Sequence, residues 1–200
     1  MADITRRTAL PLLAAGLIAP GMARAQYAVS TGDVPVRAHL AITENPFGPS
    51  PAARQAIVAS ASRAAYYPHS EGVLVDRICS HERVNREQVA ISNGSLDALS
   101  HLAVGLGRGG HIVAPQPTYA THLSYAARQG ISTQWVPLTD DHRIDLDAML
   151  AAITPDTRLV YICNPNNPTG LMPDAADLRA FCITASRKAP VLVDEAFVEI

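Results

Sequence analysis

From Val89 to Phe197 short apolar runs alternate with stretches of helical periodicity, and this alternation leaves few folds open to the chain. Val89 to Ser92, His111 to Ala114, Ser132 to Leu138, Arg158 to Cys163 and Val191 to Phe197 all have the length and character of strands. Between them lie four helical patterns. Ser95 opens the first, with Leu96, Leu99, Leu102, Ala103 and Leu106 on one face. The second runs from about Tyr119 to Gln129. Asp145 caps a third that carries Leu146, Met149, Leu150 and Ile153, and Asp174 caps a fourth with Leu178, Phe181 and Cys182. Two further helices precede the alternation, one at Ser50-Pro51, a cap followed by proline at the first helical position, and one from Gly72 to Arg83. The expected class is α/β, a mostly parallel sheet flanked by helices on both faces. With 48% hydrophobic and 17% charged residues, the 200-residue chain has material for one domain with a real core.

Several functions are set aside on composition and order. A net charge of −2 and 5% aromatic residues supply neither a basic footprint nor a stacking platform for nucleic acid. Gly105-Leu106-Gly107-Arg108-Gly109-Gly110 matches G-x-G-x-x-G as a string, but it follows a helix and precedes a strand. A dinucleotide fingerprint needs the reverse order, so these glycines are expected to stop a helix and turn the chain. His39, His69, His81, His101, His111, His122 and His142 show no metal-ligand spacing and are assigned ordinary core or surface roles. Cys79, Cys163 and Cys182 are far apart and odd in number, and are expected to be small core residues.

The first 25 residues have a different character. Arg6-Arg7 leads into an apolar run from Ala9 to Ala19 and then Ala23-Arg24-Ala25, the three parts of an export signal. The paired arginines resemble a twin-arginine signal, so a periplasmic protein is expected. The apolar run of about 11 residues is too short for a bilayer core of ~30 Å, and no membrane association is expected once the signal is removed. The expected organisation is a signal peptide over 1–25, an arm over 26–50 and a domain over 51–200.

Three strand ends carry the chemistry, because parallel strands deliver their C-terminal loops to one edge of the sheet. After the first strand comes Asn93-Gly94-Ser95-Leu96-Asp97, a helix start whose free N–H groups favour an anion such as a phosphate, although Ser95 also suits an ordinary N-cap. After the fourth comes Asn164-Pro165-Asn166-Asn167-Pro168-Thr169-Gly170, where two prolines stiffen a turn able to present an amide to a ligand oxyanion. In the fifth, Asp194 follows three apolar residues. A carboxylate there is costly unless it meets donors or a cation, and the nearest cations in sequence, Arg187 and Lys188, lie before the strand. A protonated ring nitrogen would balance it.

The Asn164-to-Gly170 turn with Val193-Asp194-Glu195-Ala196-Phe197 resembles the fold-type I, class I/II aminotransferases that use pyridoxal 5′-phosphate (PLP). Glu44-Asn45-Pro46-Phe47-Gly48-Pro49-Ser50 and Pro117-Thr118-Tyr119 are similar to the histidinol-phosphate aminotransferase branch, and the resemblance covers residues 38 to 200. It implies the large domain of the PLP-transferase fold, incomplete here. It implies that Asp194 pairs with the pyridine nitrogen and keeps the ring an electron sink, that Asn167 bonds the ring hydroxyl oxygen, and that Tyr119 stacks on the ring. Ser95 and Leu96 would give backbone N–H groups to the phosphate, Tyr67 would reach the phosphate of a partner subunit in a homodimer, and Asn45 would lie near the substrate. Substrates would be an amino acid and a 2-oxo acid.

Two departures from the family pattern are visible. Phe197 stands where the family usually has a tyrosine whose hydroxyl also bonds the ring oxygen; one such bond lost costs ~1 kcal/mol. The Schiff-base lysine and the arginine that grips the substrate carboxylate belong to segments beyond Ile200. The only lysine, Lys188, sits at the far end of its strand. The chain is therefore expected to be the N-terminal part of a longer enzyme and inactive alone. Two other functions share these motifs: a non-catalytic PLP-binding remnant, and a PLP-dependent decarboxylase of a phosphorylated amino acid. Export fits poorly with histidine biosynthesis, so a different amino acid is the expected substrate.

Overall fold

The computed structural model describes residues 45, 47–67 and 71–198. The proposed signal peptide and most of the arm lie outside them. The chain divides into two compact units, Met1–Pro49 and Ser50–Ile200, and the architecture below is that of the second.

Six α-helices and four strands are described in that unit. They are α1 (Pro51–Ser60), α2 (Glu71–Glu82), α3 (Ser95–Gly107), β1 (His111–Gln116), α4 (Thr121–Arg128), β2 (Ser132–Pro137), α5 (Leu146–Ala151), β3 (Thr157–Cys163), α6 (Ala175–Ala185) and β4 (Val191–Asp194). The strands form one sheet in the order β2-β1-β3-β4, and every pairing is parallel. The mostly parallel α/β architecture expected from the alternation is present.

Side-chain alternation along the strands builds two core layers. Ile112 and Ala114 of β1 with Leu159, Tyr161 and Cys163 of β3 face Leu99 and Ala103 of α3 and Leu123 and Ala126 of α4. On the other side Val113, Val160 and Ile162 pack with Met149 of α5 and with Phe181 and Ala185 of α6. Caps set the helix starts as expected. Ser50 Oγ accepts from the Ala53 N–H, Asp145 from Ala148, and Asp174 from Ala176 and Asp177. The rejected glycine string behaves as a helix stop followed by a turn. A Cβ on Gly110 would run into the Asp156 carbonyl, which binds the His111 N–H at 3.1 Å as β1 begins.

Three expectations are corrected. Val89 to Ser92 is not a strand: Val89 is extended, with φ −116° and ψ 125°, but no described neighbour pairs with the segment, and extended backbone without a ladder is not a strand. The last strand ends at Asp194 and not at Phe197, because the Asp194 carboxylate accepts the Ala196 N–H at 3.2 Å and turns the chain there. The helix expected from Tyr119 starts at Thr121, which leaves Tyr119 in the loop leaving β1. Of the cysteines, Cys163 is buried as expected, while Cys79 and Cys182 are partly exposed.

Candidate functional site

β2 lies on one side of β1 and β3 on the other, so the chain reverses its direction of travel across the sheet between β1 and β3. At such a switch point the loops leaving the two strands part and open a crevice at the C-terminal edge, where open α/β sheets bind ligands. The loop after β1 brings Pro117, Thr118 and Tyr119 to that edge; the loop after β3 brings the Asn164-to-Gly170 turn; β4 ends there at Asp194.

Asn166 joins the first two loops. It is 1% exposed; its Oδ1 accepts from Thr118 Oγ1 at 2.8 Å, and its Nδ2 donates to the Pro117 carbonyl and to Thr169 Oγ1, each at 3.2 Å. The amide of Asn166 is thus a clip within the protein. Asn167, by contrast, is half-buried and its side chain makes no hydrogen bond among the described residues, so it is the amide free to meet a ligand. The Cys163 thiol donates to the Pro165 carbonyl at 3.3 Å and is pushed up chiefly by burial.

Asp194 is 8% exposed. Its Oδ2 accepts from the Tyr161 hydroxyl at 3.1 Å and its Oδ1 from the Ala196 N–H. Its backbone carbonyl takes the Asn164 N–H at 2.9 Å, which ties the strand end to the start of the β3 loop. None of the ion pairs among the described residues includes Asp194. Lys188 is exposed and precedes β4, so it stands at the opposite end of the strand.

His122, in the first turn of α4, is the titratable neighbour that could have supplied a positive charge. It is fully buried, and its ring meets Tyr161 edge-on at 4.3 Å and stacks with Tyr119 at 6.1 Å. Neither ring nitrogen has a hydrogen-bond partner among the described residues. Burial pulls its pKa down to about 4 against the opposing pull of Asp194, so near pH 7 the imidazole is neutral. Among the described residues the Asp194 carboxylate has hydrogen-bond donors but no cation paired with it.

At the anion end, Ser95 is the first residue of α3 and not its cap. Gly94 occupies the cap position at φ 85° and ψ 165°, and no side chain caps the helix. The first-turn N–H groups of Ser95 and Leu96 therefore remain open to a ligand. Asp97 reaches back to the Asn93 N–H at 3.2 Å.

Among the described residues no hydrogen bond joins Tyr67 or Phe197 to this cluster. Tyr67 is 88% exposed. Phe197 is half-buried in the turn after β4. Asn45 belongs to the first compact unit, where its side chain closes its own turn: Oδ1 accepts from the Phe47 N–H at 3.0 Å, and Nδ2 donates to the Gly48 carbonyl. Two residues of the cluster escaped sequence reasoning. His122 was given a default role, although its spacing of three from Tyr119 could have flagged it; Tyr161 read only as part of an apolar strand.

Residues 38–200 match the family model for aminotransferase class I and II. The chain belongs to the class I and II aminotransferases. It is 36% identical over 166 residues to the histidinol-phosphate aminotransferase of Methanococcoides burtonii, a match covering 80% of this chain and 45% of that protein. The aromatic amino acid aminotransferase of Rhodococcus jostii is equally similar, 36% over 162 residues, with 80% and 45% covered. Among solved structures, histidinol-phosphate aminotransferase from Sinorhizobium meliloti in complex with pyridoxal-5′-phosphate superposes with a TM-score of 0.73 at 30% identity, covering 78% of this chain and 43% of that one. The fold-type I large domain expected from the motifs is borne out over this part of its length. This aminotransferase chain spans just under half the length of the curated relatives it matches.

Proposed function

We propose that this chain is the cofactor-binding portion of a PLP-dependent aminotransferase that moves an amino group between an amino acid and a 2-oxo acid. One observation carries the proposal: Asp194 is a buried carboxylate with donors but no paired cation among the described residues, at the edge where the sheet's order reverses. A cationic ring nitrogen supplies the missing charge. The residues around it fit the rest of the cofactor. Asn167 has a free amide for the ring oxygen, Tyr119 offers a partly buried ring beside the core for stacking, and the uncapped start of α3 offers N–H groups to a phosphate. When bound, PLP supplies an electron sink for the carbanion formed as the substrate loses its α-proton. Asp194 holds the ring nitrogen protonated, Asn167 orients the ring and α3 anchors its anionic tail.

The finer parts of the proposal extend to the whole protein. Substrate choice, with Asn45 nearby, and a homodimer in which Tyr67 reaches the partner's phosphate are supported by the family membership. Export, with residues 1–25 as signal, 26–50 as arm and 51–200 as the large-domain portion, is supported by the arginine pair and apolar run alone. Among the described residues no helix is long and apolar enough to cross a membrane. Lys188 is the only lysine, so this chain is proposed to bind the cofactor without turning over. Equilibrium dialysis of the chain against PLP tests the proposal. Saturation at one cofactor per chain, with competition by inorganic phosphate, is expected; absence of saturable binding refutes it.

A further inference from the structure

We propose that Tyr161 is a positioning residue for the ligand received by Asp194, an inference that rests on the proposed function above. Tyr161 stands on the face of β3 turned toward α3 and α4, with no exposed surface, and its hydroxyl takes Asp194 Oδ2 at 3.1 Å. A phenylalanine would fill the same volume without bringing a polar group into the core, so the hydroxyl has to be accounted for separately from the ring. Asp194 is its sole hydrogen-bond partner among the described residues. The ring cannot swing away, since it is packed in the core layer and His122 lies edge-on against it at 4.3 Å. Cys163, two residues along the same strand face, pairs in register with Asp194, which places the phenol and the carboxylate on adjacent strands at the ligand edge.

With Tyr161 on Oδ2 and the Ala196 N–H on Oδ1, the plane of the carboxylate is fixed. Each oxygen keeps a lone pair, and a cationic ring N–H that meets one finds the acceptor already oriented. Without the Tyr161 hydroxyl the carboxylate rotates about its last bond, and part of the ligand's binding is lost to ordering it. The effect is confined to the ring nitrogen, because the amide of Asn167 and the start of α3 do not touch Tyr161 through any hydrogen bond.

That confinement gives the test. The affinities of PLP and of its 1-deaza analogue, which has carbon in place of the ring nitrogen, are measured by fluorescence on the chain and on Tyr161→Phe. The wild-type chain is expected to prefer PLP, and Tyr161→Phe to reduce that preference about tenfold while the affinity for the analogue stays unchanged, the scale of one hydrogen bond to a charged group. A preference that survives Tyr161→Phe, or a loss of affinity shared equally by both compounds, overturns the role of Tyr161 and leaves the cofactor proposal standing. A wild-type chain that binds both compounds equally removes Asp194 as the ring-nitrogen partner, and the role of Tyr161 with it. Should Tyr161→Phe fail to fold, the wild-type chain still decides: the slowly exchanging Tyr161 hydroxyl proton moves upfield in the NMR spectrum as PLP is added, because its acceptor is then shared, and stays in place with the analogue. No movement with PLP overturns the inference.

Discussion

The neutral imidazole of His122 decides the electrostatics of the site, and it also makes the fold sensitive to acid. Its folded pKa of about 4 lies below the unfolded value of 6.5, so between these values the unfolded chain binds more protons. The contribution of His122 to stability is therefore intact above pH 6.5 and is lost as the pH falls toward 4. The loss is roughly 3 kcal/mol for a shift of this size. Melting curves should fall more steeply over that range for the wild type than for His122→Leu; equal slopes would show that the ring is not held neutral. The groups facing the ring are Tyr119, Tyr161 and the charge of Asp194, and the phenol of Tyr161 is itself pushed far up, first by burial, so it stays a donor. Asn166 belongs to this scale too. Asn166→Ala leaves the Thr118 hydroxyl and the Pro117 carbonyl without their partner and should cost about 2 kcal/mol in urea unfolding, with a further loss of ligand affinity as the two loops part. Asp194 and Asn167 were legible in the sequence because an acid after an apolar strand and an amide between two prolines are local signals. Asn166, Tyr161 and His122 act across separations of more than thirty residues, and no local pattern marks such pairs.

At the scale of elements, α3 is the part most exposed to a single change. Gly94 at φ 85° and ψ 165° sits in a backbone region that side chains rarely enter, while the space beside it is open. Gly94→Ala is expected to cost about 2 kcal/mol of backbone strain alone, and to weaken phosphate binding by displacing the first N–H groups of α3. Urea unfolding with a parallel phosphate titration checks both effects; a neutral substitution would show that the helix start does not depend on this conformation. Strand identities were most legible at the centre of the sheet, where both faces are covered and residues 112–114 and 159–163 read as unbroken apolar runs, whereas the edge strand β2 is polar and mostly exposed. The ends were less so. Val89 to Ser92 has strand composition but no described neighbour to pair with. β4 stops at Asp194 because its own side chain takes the Ala196 N–H, an event that apolarity does not report.

For the whole molecule, the second unit is well packed around its sheet and poorly covered at its start. α1 buries no residue, and Ile57, Val58, Tyr66, Val73 and Leu74 are all more than half exposed. Apolar surface of this kind drives association. The chain is expected to self-associate with rising concentration in sedimentation velocity, and Val58→Lys with Leu74→Lys to reduce it; a monomer at all concentrations would contradict this. The fold class was readable from the order of elements, whereas the position of the site depended on the strand order β2-β1-β3-β4, which places the crevice between β1 and β3 and which no local pattern encodes. The central claim is that Asp194 awaits a cationic ring, and calorimetric titration of PLP into the chain and into Asp194→Ala tests it directly. Removing one partner of a buried charge pair predicts binding about a hundredfold weaker in the variant. Equal affinity in the two proteins would contradict it.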